Sequence, residues 1–193
     1  DVLYSSRKEY SMTIKRYLLV AAFILLAYCN ALAGGVGTWK NYLAYSDVQW
    51  VEEGSNKLYV LASNSLYTYN KNDQSIKIYD KVNGLSDTDI RFIAWNKPAR
   101  RLVILYSNNN IDLLDDRGNV TNVPDYYLKT TMADKTVNGI DMSGVYCYLS
   151  TVFGLVKLNV AKAEISDSYN LSFPVNYSYI EGGYIYAASQ SNG

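Results

Sequence analysis

Four groups of side chains in this chain have the right type and spacing to be tested for chemistry. Asp87 and Asp89 lie two residues apart, just after Gly84-Leu85, and a carboxylate pair is the minimum equipment for acid–base work. No histidine occurs anywhere in the 193 residues, so neither carboxylate has an imidazole to work against. The expected role of the pair is turn hydrogen bonding at the entry to a strand. Asp115-Asp116-Arg117-Gly118-Asn119 has the acidic look of a calcium loop but lacks the alternating Asp/Asn ligands and the distant Glu. It reads as a hairpin turn in which Gly118 or Asn119 takes the positive φ. Lys97-Pro98-Ala99-Arg100-Arg101 is the densest basic cluster, a solvated turn that could also touch an anionic glycan. Tyr126-Tyr127 follow Pro124 in a long connection, Asp125 to Lys135, and could stack on sugar rings or cover the strand beneath.

The absence of histidine also removes Ser-His and Cys-His nucleophile pairs and imidazole metal ligands. Enzymes without histidine exist, so this argues against catalysis without excluding it; no catalytic, cofactor or metal residue is singled out, and the ligand-binding residues are not identified by the sequence. With 18 basic and 18 acidic side chains the formal charge is zero, so there is no electrostatic footprint for nucleic acid. Of two cysteines, Cys29 falls in a segment expected to be removed, and Cys147 sits in Val145-Tyr146-Cys147-Tyr148-Leu149 as a small buried strand residue. No disulfide framework is expected.

That segment has the order of an export signal. Met12 is the expected start, Lys15-Arg16 the basic region, Tyr17 to Cys29 the apolar run, and Ala31-Leu32-Ala33 the cleavage site. The run is about 13 residues, short of the ~20 needed to span a bilayer. A lipidated Cys29 is disfavoured because Tyr28, before it, is not small. The expected layout is an upstream extension at 1–11, a signal peptide at 12–33 and a mature chain with no transmembrane span.

The elements that must position the candidate residues come from repeats. Leu58-Tyr59-Val60-Leu61-Ala62-Ser63, Leu102-Val103-Ile104-Leu105-Tyr106-Ser107, Val145-Tyr146-Cys147-Tyr148-Leu149-Ser150 and Tyr184-Ile185-Tyr186-Ala187-Ala188-Ser189 are apolar runs closed by Ser. Aligned on that Ser they recur after 44, 43 and 39 residues. Such a period, with several strands in each repeat and 20 tyrosines to favour strands, predicts an all-β fold made of propeller blades. A first strand precedes each apolar run, as in Ile90-Arg91-Phe92-Ile93-Ala94-Trp95, and a third follows, as in Ile111-Asp112-Leu113-Leu114. Ile76-Lys77-Ile78-Tyr79 alternates as an outer strand with one wet face should. The expectation is an incomplete β-propeller over 38–193, with about three and a half four-stranded blades at roughly 47–86, 87–132, 137–172 and 175–193. Because the fourth repeat stops partway, the chain is expected to be a fragment of a longer ring that exposes sheet faces.

The wording of the repeats resembles a known family. Trp39-Lys40-Asn41-Tyr42-Leu43, Ser65-Leu66-Tyr67-Thr68-Tyr69, Asn83-Gly84-Leu85-Ser86-Asp87, Asn110-Ile111-Asp112-Leu113-Leu114 and Tyr148-Leu149-Ser150-Thr151-Val152-Phe153-Gly154 resemble the N-terminal propeller of the PorZ family. That family supplies a surface component of the Bacteroidetes type IX secretion system. The resemblance implies a binding and assembly role without catalysis, on the outer face of the outer membrane. It further implies other type IX attachment-complex proteins and anionic lipopolysaccharide as partners. Family members are longer, with a second propeller and a C-terminal sorting domain. Gly84-Leu85-Ser86-Asp87 and the Leu-Tyr-x-Tyr hairpin are also similar to the periplasmic ligand-sensing propellers of hybrid two-component histidine kinases, the alternative reading. A third is a polysaccharide-active enzyme on a propeller scaffold, which would require a further module carrying histidine or paired carboxylates.

Overall fold

The computed structural model describes residues 47–130 and 134–190. The signal-peptide reading at 12–33, the extension at 1–11 and Cys29 lie outside the described residues.

Among the described residues, fourteen strands form antiparallel meanders in which each strand pairs with the next within its own sheet. Blade one is β1 (Val48–Glu53), β2 (Lys57–Ala62), β3 (Ser65–Asn70) and β4 (Ile76–Tyr79). Blade two is β5 (Ile90–Asn96), β6 (Arg101–Tyr106), β7 (Ile111–Asp115) and β8 (Val120–Val123). A one-turn helix, α1 (Asp125–Leu128), begins the connection to blade three, which is β9 (Val137–Ser143), β10 (Tyr146–Thr151), β11 (Gly154–Asn159) and β12 (Glu164–Asn170). The hairpin β13 (Tyr177–Glu181) and β14 (Tyr184–Ala188) stands where a fourth blade begins. The first strands β1, β5, β9 and β13 adjoin one another in sequence order, so they are the innermost strands.

The apolar second strands have a physical reason. Side chains alternate between the two faces of a sheet, and each face of a middle blade meets another blade. In β6, Leu102, Ile104 and Tyr106 enter a core shared with Tyr59, Leu61 and Leu66 of blade one. Val103 and Leu105 enter a different core, shared with Cys147, Leu149 and Val156 of blade three. Every residue of β6 beyond Arg101 is therefore apolar and buried.

Three of the innermost strands, β1, β5 and β9, share a β-bulge. Val48 and Trp50 pair with Ala62 and Leu61, Ile90 and Phe92 with Tyr106 and Leu105, and Val137 and Gly139 with Thr151 and Ser150. Gln49, Arg91 and Asn138 are the extra residues. Beside each bulge the backbone N–H after the second strand returns to the inner strand: Ser63 to Asp47, Ser107 to Asp89, and Val152 to Thr136.

This register corrects the repeat alignment. Ser63 and Ser107 correspond to Val152, not Ser150, so the spacings are 44 and 45 residues. A slip of two residues leaves the alternation of faces unchanged, which is why the apolar pattern could not detect it. The outer strand β4 also differs from expectation. Its burial rises along the strand, from Ile76 at 53% exposed to Tyr79 at 2%, instead of alternating. The first residues of β4 are wet on both faces, whereas Tyr79 is covered by the β7–β8 turn of blade two at Gly118.

Candidate functional site

An antiparallel meander sorts its loops to two ends of the blades. One end, the connector face, carries the links between blades and the second-to-third strand turns. The other, the turn face, carries the first-to-second and third-to-fourth turns.

On the connector face, Asp87 and Asp89 serve different turns. The Asp87 carboxylate accepts from Asn108 Nδ2 in the β6–β7 turn and from the Thr88 amide at 3.3 Å, with Lys81 Nζ at 3.9 Å. The Asn108 hydrogen bond holds this carboxyl below the usual carboxylate range. Asp89 accepts from Asn64 Nδ2, 3.1 Å away in the β2–β3 turn of blade one, and its backbone has φ +59. Each carboxylate thus fixes a turn. Both border a cleft of about 110 Å³ with Asn64, Asp80 and Lys81. Among the described residues no three His, Cys, Asp or Glu side chains are grouped to hold a metal ion.

Beneath them lies a buried carboxylate that belongs to no motif. Asp112 in β7 is fully buried and accepts from the Ser86 amide at 2.7 Å, Tyr106 Oη at 2.6 Å and Asn122 Nδ2 at 2.9 Å. It ties the connector from blade one to the second, third and fourth strands of blade two. Burial, together with the hydrogen bond to Asp112, drives the Tyr106 hydroxyl well above its ordinary titration range. The sequence signal was there: one acid interrupts the apolar Ile111-Asp112-Leu113-Leu114 run.

The connection after Pro124 is more structured than a loop. α1 buries Tyr126, at 2% exposed, while Tyr127 is 45% exposed, so of the adjacent pair only Tyr127 can meet a ligand. Successive helical residues point about 100° apart, which explains how neighbours reach opposite fates. Tyr126 Oη donates to the Lys135 carbonyl at 2.7 Å. In return Lys135 Nζ donates to the carbonyls of Tyr126, Tyr127 and Lys129 at 3.3, 2.6 and 3.0 Å, which caps α1 with a positive charge. A cavity of about 200 Å³ between α1 and blade three is lined by Asp125, Tyr126, Lys129, Val156, Ile165 and Ser168.

On the turn face, Asp115-Asp116-Arg117-Gly118-Asn119 is a hairpin turn. The Asp115 carboxylate accepts from the Arg117 and Asn119 amides at 2.9 and 2.8 Å and from Asn119 Nδ2 at 2.9 Å. Gly118, at φ +92, takes the left-handed position. The basic cluster Lys97–Arg101 is partly engaged in structure. Arg100 pairs with Asp116, and Arg101 Nη1 donates to the carbonyl of Val160 in blade three at 3.0 Å. Lys57 makes the equivalent contact one blade earlier, to the Asp116 carbonyl at 2.7 Å. Cys147 is fully buried in the core between blades two and three, and burial pushes its thiol well above its ordinary titration range.

One surface of the β13–β14 hairpin is a tyrosine ladder. Tyr179 pairs with Tyr186, Tyr177 with Ala188 and Glu181 with Tyr184, which puts four tyrosines on one face. The opposite face meets blade three, where Ser178 Oγ and Ser150 Oγ are 3.1 Å apart. The ladder tyrosines are more than half exposed.

Residues 58–193 match the family described as the type IX secretion system PorZ N-terminal beta-propeller domain. The structure is similar to that of PorZ, an essential bacterial surface component of the type-IX secretion system of Porphyromonas gingivalis. Identity is 37%, with a TM-score of 0.64, over 72% of this chain and 19% of that one. The chain thus spans about one fifth of the length of that relative. The extracellular domain of the putative hybrid two component system BT4673 from B. thetaiotaomicron shares the fold, at 18% identity and TM-score 0.56, over 73% of this chain and 19% of that one. So does apo AztD from Citrobacter koseri, at 15% identity and TM-score 0.53, over 73% and 40% of the respective chains. Among proteins of curated function, none matches the sequence.

Proposed function

This chain belongs to the PorZ N-terminal β-propeller family, and from that premise we propose that it works in type IX secretion as a binding and assembly module at the cell surface, without catalysis of its own. The observation that carries the reading is the family match over 58–193 together with 37% identity to a PorZ of known structure. The side chains are consistent with it. Asp87, Asp89 and Asp115 are all engaged in holding turns, so none is paired for acid–base work. The partners in this reading are other proteins of the attachment complex and anionic lipopolysaccharide, met on the outer face of the outer membrane.

Gene disruption in the bacterium that carries the sequence tests the reading. Cells lacking the protein should fail to anchor type IX cargo at their surface, and the full-length gene should restore anchoring. Normal surface cargo, with loss of a transcriptional response to a carbohydrate instead, would refute it in favour of a periplasmic sensor propeller. No helix among the described residues is long and apolar enough to cross a membrane, which fits either location.

A further inference from the structure

Three Asn-Gly pairs occur in the sequence, and two of them, Asn83-Gly84 and Asn138-Gly139, lie among the described residues. Glycine has no Cβ to crowd the approach of its amide nitrogen to the preceding side chain, so Asn-Gly is the dipeptide best able to close a succinimide ring. The fold treats the two pairs in opposite ways. Asn83 and Gly84 are both exposed, in the turn that begins the connector from blade one to blade two. Asp80 fixes that turn. Its carbonyl accepts from the Asn83 and Leu85 amides at 3.1 and 3.0 Å, and its Oδ1 accepts from the Asn83 amide at 2.7 Å. The Gly84 amide between them has no hydrogen bond with any described residue, and neither has the Asn83 side chain. Gly84, at φ +111, faces open space, with nothing within 4 Å of where a Cβ would be.

Asn138-Gly139 has none of this freedom. Asn138 is half-buried in β9, and its Nδ2 donates to the Val175 carbonyl at 2.9 Å. Gly139 is buried and pairs with Ser150 of β10, and the Asn176 carbonyl oxygen lies 3.0 Å from where its Cβ would be. A paired strand must open before its backbone can fold back into a five-membered ring.

We infer that Asn83 is a self-modification site, at which the chain converts asparagine to aspartate or isoaspartate without an enzyme, and that the isoaspartate loosens the joint to blade two. The Gly84 amide nitrogen gives up its proton and bonds to Asn83 Cγ. The Cγ–Nδ2 bond breaks, ammonia leaves with a proton, and a succinimide remains. Water then opens the ring. Attack at Cγ yields aspartate; attack at the main-chain carbonyl carbon yields isoaspartate, in which the backbone runs through Cβ and Cγ and gains one atom. That atom enters the chain just ahead of Leu85, which is buried between blades one and two. It also lies just ahead of Ser86, whose amide donates to the buried Asp112. The inference rests on the connector turn alone and is independent of the secretion role.

Ageing the full-length protein at mildly alkaline pH tests it, followed by peptide mapping with mass spectrometry and by labelling with an isoaspartyl methyltransferase. The Asn83 peptide should gain the mass of an amide-to-acid exchange and accept the methyl label. The Asn138 peptide should convert at least about tenfold more slowly, because its strand must open first. In urea, where neither is held, the two should convert at similar rates. Gly84→Ala should slow conversion severalfold, since the new Cβ crowds the attacking nitrogen, and Asn83→Gln should abolish it. The isoaspartate-bearing fraction should unfold at a lower urea concentration than unaged protein. No conversion at Asn83, native conversion at Asn138 as fast as at Asn83, a wild-type rate in Gly84→Ala, or an unchanged urea midpoint in the isoaspartate fraction would each overturn the proposal.

Discussion

Removing the Asp112 carboxylate should be among the most damaging single changes to blade two. In Asp112→Ala three donors lose their acceptor at once: the Ser86 amide, Tyr106 Oη and Asn122 Nδ2. Tyr106 is fully buried, and a buried donor left unsatisfied costs about 1–3 kcal/mol. Asn122 Nδ2 keeps its bonds to Asn110 Oδ1 and the Ile111 carbonyl, so its loss lies at the low end. Summed, and allowing for a water entering the space vacated, the expected destabilisation is about 3–5 kcal/mol. Asp112→Asn should be milder, about 1–2 kcal/mol, because one amide oxygen can still serve Ser86 and Tyr106, which both donate to the same Oδ2. Urea denaturation of the full-length protein, followed by tyrosine and tryptophan fluorescence, measures both. Asp112→Ala within 1 kcal/mol of wild type, or no milder effect from Asp112→Asn, would refute the reasoning.

Gly154→Ala should fold poorly or lose about 3 kcal/mol or more, because the new Cβ would lie 2.1 Å from the Tyr169 carbonyl oxygen; Gly84→Ala, at φ +111 but in open space, should cost about 1 kcal/mol. Thermal denaturation of the two variants compares them, and equal losses would contradict the steric account. In a Cys29→Ala background, Cys147 should resist a thiol-specific reagent in the native protein and react on unfolding, since burial suppresses the thiolate; rapid native labelling would contradict the burial. The depressed Asp87 carboxyl contributes stability above its unfolded pKa that fades as pH falls through the lower folded value. Asn108→Ala should move its titration, followed by NMR, upward towards the ordinary carboxylate range, and an unmoved titration would show that the Asn108 bond is not the cause.

The propeller architecture was legible because β6 has no room for a polar residue on either face, and its counterparts in blades one and three are likewise buried along most of their length. The register of blade three was not, since a two-residue slip preserves every in–out assignment. The role of Asp112 was hidden because its partners sit 6, 10 and 26 residues away and converge only on folding. Arg100 and Arg101 read as one basic cluster, yet Asp116 claims one and a carbonyl of the next blade the other. Tyr126 and Tyr127 are identical side chains in adjacent positions, and only the helical turn of α1 separates a buried anchor from an exposed ring.

The division of β6 between two cores means that proximity along the chain and energetic coupling part company. Leu105 and Leu149, 44 positions apart, share one core, so truncating both should show interaction energy in a double-mutant cycle. Ile104 and Leu105 are covalent neighbours on opposite sides of the sheet wall, and their truncations should sum more nearly independently. Each middle strand then acts as a joint between adjacent blades, so that loosening one blade uncovers its neighbours and unfolding travels along the array by nearest-neighbour steps.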